Sequence, residues 1–374
     1  MSATQMTTSD ALTLKVWGTR DWVNPGKQVV FGHLFSRGAV HYATEFLGSK
    51  NRGDTITYDY TQMLTGIPVG EGGTLDGNEE ALNLGSFTMA INVTRIGVLN
   101  PNDDTIEQQR TLVDFPERTR KVVPNRHLQL LDASCFQHLA GAYPTSWTQD
   151  GTTWSGNNRL FVTGHNVPPA PSSDRILRAG AVANDQSLTS SMTATLDIID
   201  YALESIANSN QPIERLPDGT FDSFWAPSQI VDLKQDTTGK IQWFNYALAE
   251  ITGGDDSMMK GKLFQGLRTL GTYAGVNIYE APRTAYGVSS ADSSVITTVR
   301  RAVIVGKDAL TFSSPFGGRP TDKSAPWKYF SQLKDYDYYK GLEGRMIYGL
   351  KKNVATNSSD IGVFVISTYA APHA

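Results

Sequence analysis

An α+β fold with more loop than usual is what the sequence predicts. Three observations carry that prediction. Period-two alternation marks strands at 54–61 and 86–94, apolar residues spaced by three and four mark helices at 128–139 and 192–206, and the apolar run at 361–369 reads as a buried strand. The 374 residues allow two or three domains at about 150 residues each. With 40% hydrophobic residues and 34 glycines the composition is that of an ordinary globular chain, which excludes collagen, coiled coil and intrinsic disorder.

The first segment, 1–48, carries scattered aromatics (Trp17, Trp22, Phe31, Phe35, Tyr42, Phe46) without a sustained period. It reads as an arm with short helical pieces that lies on something else. In 54–61, Ile56, Tyr58 and Tyr60 alternate with Thr55, Thr57, Asp59 and Thr61; in 86–94, Phe87, Met89, Ile91 and Val93 alternate with polar or small residues. The simplest pairing is an antiparallel ribbon, joined by a connection over 62–85 with six glycines and the acids Glu71, Asp76, Glu79 and Glu80. Nothing covers the apolar face of such a ribbon, so it must lie on its own core or on another chain.

Asp114, Pro116 and Glu117 signal a helix start, and Pro124 should kink or restart that helix. Beyond it Leu128, Leu131, Cys135 and Leu139 form one face of a helix that stops at Gly141. The stretch 142–190 is broken by Pro and Gly and reads as loop with short strands. Met192, Leu196, Ile199, Leu203 and Ile206 mark the next helix, capped by Ser190 or Ser191 and ended over 208–212. From 221 onward, short apolar strands at 230–233, 243–251, 276–279 and 302–306 alternate with helical pieces and turns.

Net charge is −4, from 33 basic and 37 acidic residues, which disfavours tight DNA binding as the main task. No stretch reaches the roughly 18 apolar residues of a membrane helix, and the first thirty residues lack a signal-peptide pattern. Cys135, the single cysteine, reads as core and suits a reducing cytoplasm. There is no phosphate loop, zinc-protease motif, nucleophile elbow or calcium loop. His127 and His138 share a helix face but lie about 16 Å apart at 1.5 Å per residue, so they cannot share a metal. His33 and His41 read as packing or surface residues. Asp76, Glu79 and Glu80 read first as a solvated loop tip, and Arg118, Arg120, Lys121 and Arg126 as a solvated helix face. No set of residues assembles an active site, so the expectation is a non-enzyme with no metal and no cofactor.

Several segments carry a resemblance. They are Gly53-Asp-Thr-Ile-Thr-Tyr58, Thr74-Leu-Asp-Gly-Asn-Glu-Glu-Ala81, Phe136-Gln-His-Leu-Ala-Gly141, Pro169-Ala-Pro-Ser-Ser-Asp-Arg175, Gly271-Thr-Tyr-Ala-Gly-Val276 and Asp360-Ile-Gly-Val-Phe-Val-Ile366. Spread over most of the chain in one order, they make the sequence resemble tailed-bacteriophage major capsid proteins. The resemblance implies the Hong Kong 97-type capsid fold, with an N-terminal arm over 1–48 and an extended hairpin, the E-loop, over 49–98. A peripheral domain with a spine helix would span 99–190 and an axial domain 191–330, with a return to the peripheral domain over 331–374.

It further implies self-assembly into pentamers and hexamers of an icosahedral head that encloses double-stranded DNA. Location would be the virion capsid, assembled in the host cytoplasm. Scaffolding, portal and decoration proteins are candidate partners, DNA contact would be loose and sequence-independent, and no membrane is involved. On this reading Ile56, Tyr58, Tyr60, Phe87, Met89, Ile91 and Val93 cover apolar surface on an adjacent subunit, each fully buried large side chain contributing roughly 1.5–3 kcal/mol before ordering costs. Asp76, Glu79 and Glu80 meet basic groups next door, with Arg118, Arg120, Lys121 and Arg126 as candidates, and exposed pairs contribute about 0–1 kcal/mol each. A nanocompartment shell of the same fold is the alternative. A β-rich tail or carbohydrate-binding protein is further off, because internal repeats are lacking.

Overall fold

Two mixed sheets share an apolar centre in this computed structural model, which describes residues 29–43, 54–61, 64–82, 84–101, 105–106, 115–236, 269–315, 327–355 and 359–373. The order begins with helix α1 (Phe31–Ser36) and strands β1 (Val40–Ala43), β2 (Thr55–Thr61), β3 (Leu84–Ala90) and β4 (Asn92–Pro101). Helix α2 (Phe115–Leu139), the hairpin β5 (Ser146–Gln149) and β6 (Thr152–Ser155), the one-turn helix α3 (Arg159–Val162) and β7 (Ile176–Arg178) follow. Next come α4 (Leu196–Asn208), β8 (Phe221–Trp225), α5 (Pro227–Gln235), β9 (Thr269–Tyr273), β10 (Val276–Glu280) and β11 (Tyr286–Val288). The chain closes with β12 (Val295–Val305), β13 (Leu310–Ser313), β14 (Trp327–Lys334), β15 (Tyr339–Lys352) and β16 (Val363–Tyr369).

One sheet has seven strands in the order β7-β16-β12-β8-β10-β9, with β11 on β12; the other has five, in the order β1-β13-β15-β14, with β4 on β15. β16 shows why its sequence lacks a period. Val363 and Val365 pack with Cys135, Phe136, Phe312 and Tyr348, while Phe364 and Ile366 pack with Leu196, Ile199 and Ile230. Both faces are buried, as the apolar run predicts. β16 lies between β7 and β12 in the seven-stranded sheet. There it has an apolar layer on each side, from α2 and from α4 with α5.

α2 runs through Pro124 as one helix, so the expected restart does not occur. Proline removes the N–H that would bond the carbonyl four residues back, at Arg120. The Tyr329 hydroxyl on β14 donates to that carbonyl at 3.3 Å and satisfies it from outside the helix. At the other end, Gly141 N–H bonds the His138 carbonyl at 3.1 Å and Ala142 N–H bonds that of Gln137 at 3.0 Å, the double reverse pairing of a Schellman cap. Gly141 has φ 56°, and a Cβ there would sit 2.5 Å from the Pro169 carbonyl oxygen, so the predicted stop is required twice over. Cys135 is buried, and burial raises its thiol well above the ordinary range. His127 and His138 are buried too, each with Nε2 against a carbonyl, Gly344 at 3.0 Å and Thr163 at 2.8 Å.

α4 starts at Leu196, and neither Ser190 nor Ser191 caps it. Met192 instead closes a turn with its N–H on the Thr189 carbonyl, and its own carbonyl receives the Tyr369 N–H, each at 2.9 Å. The supposed strand at 230–233 is part of helix α5, which opens on Pro227 and on a bond from Ala226 N–H to the Gln229 side chain at 2.9 Å. Four residues are too few for spacing to separate strand from helix. The segment 243–251 lies outside the described residues. Of the supposed arm, residues 29–43 belong to the body. Phe31 and Leu34 are fully buried in the central cluster, β1 pairs parallel with β13, and Asp132 accepts the N–H groups of Val30 and Phe31 at 2.7 and 3.0 Å.

Candidate intersubunit surface

β2 and β3 pair antiparallel, with Ile56 opposite Met89 and Tyr58 opposite Phe87, so the expected ribbon is present. Its second strand is shorter than expected. The alternation over 86–94 is cut at Ile91: β3 ends at Ala90, and β4 turns away to pair with β15 from Asn92↔Tyr348 to Pro101↔Tyr339. Val93 therefore lies in the five-stranded sheet and not on the ribbon.

Burial divides the apolar residues of the ribbon in two. Met89 is 0% exposed and Ile56 8%, packed with Ala43 and flanked by Tyr58 and Ile91. These two cover their own chain, which corrects their assignment to a neighbour. The end of β1 lies under the ribbon's base and closes it. Tyr58, Tyr60, Phe87 and Ile91 are half-buried, and Tyr58 stacks on Phe87 at 5.4 Å between ring centroids.

Beyond the base the picture inverts. Every described residue from 64 to 82 is exposed, and Leu64, Ile67, Leu75, Leu82 and Leu84 hold their side chains in solvent, Ile67 at 89%. The sequence reading passed over these residues. The signal was there in the form of branched aliphatics without period inside a glycine-rich acidic loop, which have no core to enter.

The three acids are not equivalent. Glu80 reaches across the loop, where its carboxylate accepts the N–H of Thr65 at 2.7 Å, the N–H of Gly66, and the Thr65 hydroxyl at 3.1 Å. Those bonds, the one from Gly66 first, hold it below the usual carboxylate range. Glu79 accepts the Gly77 N–H at 2.7 Å. Asp76 is exposed at the tip. Glu80 thus ties its own loop.

The basic residues on α2 also divide. Lys121 pairs with Glu117 one turn back at 2.8 Å. Arg126 donates to the Thr152 hydroxyl at 3.0 Å and lies over Trp154, so it fastens the β5–β6 hairpin to the helix. Arg118 and Arg120 are exposed on the outer face.

A second exposed surface crosses β4, β14 and β15, with Val98, Leu99, Phe330 and Leu333 in solvent. Glu343 anchors it between Arg95 at 2.6 Å and Arg345 at 2.9 Å, and these partners hold its carboxyl at about 2. Among the described residues no cluster of His, Cys, Asp and Glu could hold a metal, and no helix is long and apolar enough to cross a membrane.

The sequence model of the phage capsid protein family matches residues 45–372. The chain belongs to the phage capsid protein family. Solved capsids share its fold: the capsid of Ralstonia phage GP4 superposes with a TM-score of 0.73 at 21% identity, covering 100% of both chains. The cyanophage Pam1 capsid gives 0.69 at 19%, again over 100% of both chains. The head of Helicobacter pylori bacteriophage KHP40 gives 0.64 at 13%, over 99% of this chain and 100% of that one. No curated protein matches the sequence. The mixed architecture is thus the Hong Kong 97-type capsid fold, and the chain is a major capsid protein of a tailed phage, placed in the virion capsid and associating with itself in capsomers. For a capsid protein an uncovered apolar tip is a surface that assembly can cover.

Proposed function

We propose that this capsid protein builds an icosahedral head of pentamers and hexamers in which the ribbon of each copy lies over the next. The observation that carries the reading is the ribbon tip: Leu64, Ile67, Leu75, Leu82 and Leu84 are exposed together, and their own chain covers none of them. Each such side chain contributes roughly 1.5–3 kcal/mol when fully covered, less the cost of ordering the loop. A closed shell repeats that contact at every copy. Tyr60 and Phe87 extend the contact inward, and Asp76 at the tip, with Arg118 and Arg120 on α2, sets register through weak exposed pairs.

The work of the protein is geometric, with no catalytic step and no cofactor. A shell wall with a net charge of −4 holds DNA loosely, since mobile counterions neutralise most phosphates. Assembly takes place in the host cytoplasm, with scaffolding, portal and decoration proteins as further partners.

The test is negative-stain microscopy of the chain expressed with its neighbouring head genes, wild type beside Ile67→Ser/Leu75→Ser. Closed shells from the wild type, with a folded but unassembled double variant, are expected. Shells of normal size and yield from the double variant would overturn the proposal.

A further inference from the structure

Where the ribbon leaves the body, β3 has one edge on β2 and the other turned toward β15. On that second edge Lys351 Nζ donates to the Thr88 carbonyl at 2.5 Å. Two residues on, one side chain serves both backbone groups of Ala90. Asn166 Oδ1 accepts the Ala90 N–H at 2.9 Å, and Asn166 Nδ2 donates to the Ala90 carbonyl at 3.0 Å. A neighbouring strand would make the same pair of bonds. A primary amide imitates it because its donor and acceptor lie side by side in one plane. The same Nδ2 also meets the carbonyls of Leu350, on β15, at 3.0 Å and of Gly164 at 2.8 Å. A single buried amide therefore joins the last residue of the ribbon to the body.

The chain bends sharply to present it. Gly164 and His165 are left-handed in succession, with φ 61° and 62°, and a side chain is uncommon in that region. A Cβ on Gly164 would come within 2.9 Å of the Tyr348 ring and 3.1 Å of the Leu350 nitrogen. On the far side Gly349 leaves room for the Ala90 carbonyl, which a Cβ would approach to 2.6 Å. Strain held in place by packing on both sides marks a position the fold over-determines. It sits at Ala90, where β3 stops and β4 departs for another sheet.

We infer that Asn166 is the positioning residue that fixes the direction in which the ribbon leaves the body, and so the angle at which its tip meets the next copy. The inference rests on the reading of the ribbon as a contact arm, yet what it predicts is measurable within one chain. Spin labels at Leu75→Cys on the tip and Glu204→Cys on α4 report the tip-to-body distance. Cys135 is buried and escapes labelling, and dilution into excess unlabelled chain leaves only distances within a copy. A narrow distribution in the wild type should broaden in Asn166→Ala, while protection of the Ala90 amide against exchange falls about tenfold. Asn353→Ala, which removes a different buried asparagine bonded to Thr311 and Asp308, should leave the distribution narrow.

An unchanged distribution in Asn166→Ala, or equal broadening in Asn353→Ala, overturns the inference. Should Asn166→Ala not fold, Asn166→Asp keeps an acceptor for the Ala90 N–H but loses both donors. Broadening there supports the inference and a wild-type distribution overturns it. Broadening in the Asn166→Ala chain alongside normal shells from Ile67→Ser/Leu75→Ser would support the role of Asn166 while removing the contact reading.

Discussion

Single residues carry the sharpest constraints on this fold. His138 is enclosed in the core, and burial pushes it down to about 3; burial shifts His127 and His165 in the same direction. An unfolded histidine titrates near 6.5, so below that pH the unfolded chain binds protons that the folded chain refuses. Stability is present in full above about 6.5 and is lost as the pH falls toward 3, with a slope of about 1.4 kcal/mol per pH unit for His138 alone. Urea midpoints taken at several pH values should show this, and His138→Gln should flatten the slope. Gly141→Ala is a second residue-scale prediction. The left-handed φ and the clash with Pro169 should together cost about 2–4 kcal/mol in a urea denaturation. This glycine was legible in the sequence as a helix stop, because one φ requirement writes itself into one residue. The buried pair Asp132 and Arg283, 3.0 Å apart, was not, because 151 residues separate its members and neither belongs to any local pattern.

Elements were legible to the extent that one physical demand governed their whole length. β16 and the C-terminal half of α2 obey a single burial pattern from end to end, and both stand where the spacing put them. The alternation of 86–94 runs across a break at Ile91, where β3 ends and β4 departs; spacing says nothing about which sheet a residue joins. α2 was obscured by Pro124, whose cost is offset by a hydroxyl 209 residues in sequence from the Arg120 carbonyl it bonds. That compensation is testable as a cycle. Tyr329→Phe should lower stability by about 0.5–1.5 kcal/mol, and the loss should shrink in a Pro124→Ala background, where the Arg120 carbonyl regains its helical partner. Equal losses in both backgrounds would detach Tyr329 from the proline. The tip loop makes its own prediction. Glu80→Gln should speed amide exchange at Thr65 and Gly66, whereas Asp76→Asn should leave both unchanged.

At the scale of the molecule, the deciding contrast is between a covered centre and an uncovered finger. The centre joins both sheets, β12 and β16 of one packing against β13 and β15 of the other. The base of the ribbon is covered by Ala43 and the tip is exposed, so on the proposed reading assembly is driven by the tip and by exposed faces such as that of Val98, Leu99 and Phe330. Two forces compete for that role, and they respond differently to conditions. Contacts between exposed charges weaken as salt shortens the screening length from about 10 Å at 0.1 M to about 3 Å at 1 M. Apolar cover is nearly indifferent to that change and strengthens on warming from the cold, because it is entropic near room temperature. Glu80 and Glu79 are oriented by bonds within their own loop, exposed charges pair weakly, and on the proposed reading the apolar term should dominate. The concentration needed for shells to form should then fall between about 5 and 25 °C and change little between 0.1 and 1 M salt, read by light scattering. A steep rise with salt and no response to temperature would transfer the contact from Ile67 and Leu75 to Asp76, Arg118 and Arg120.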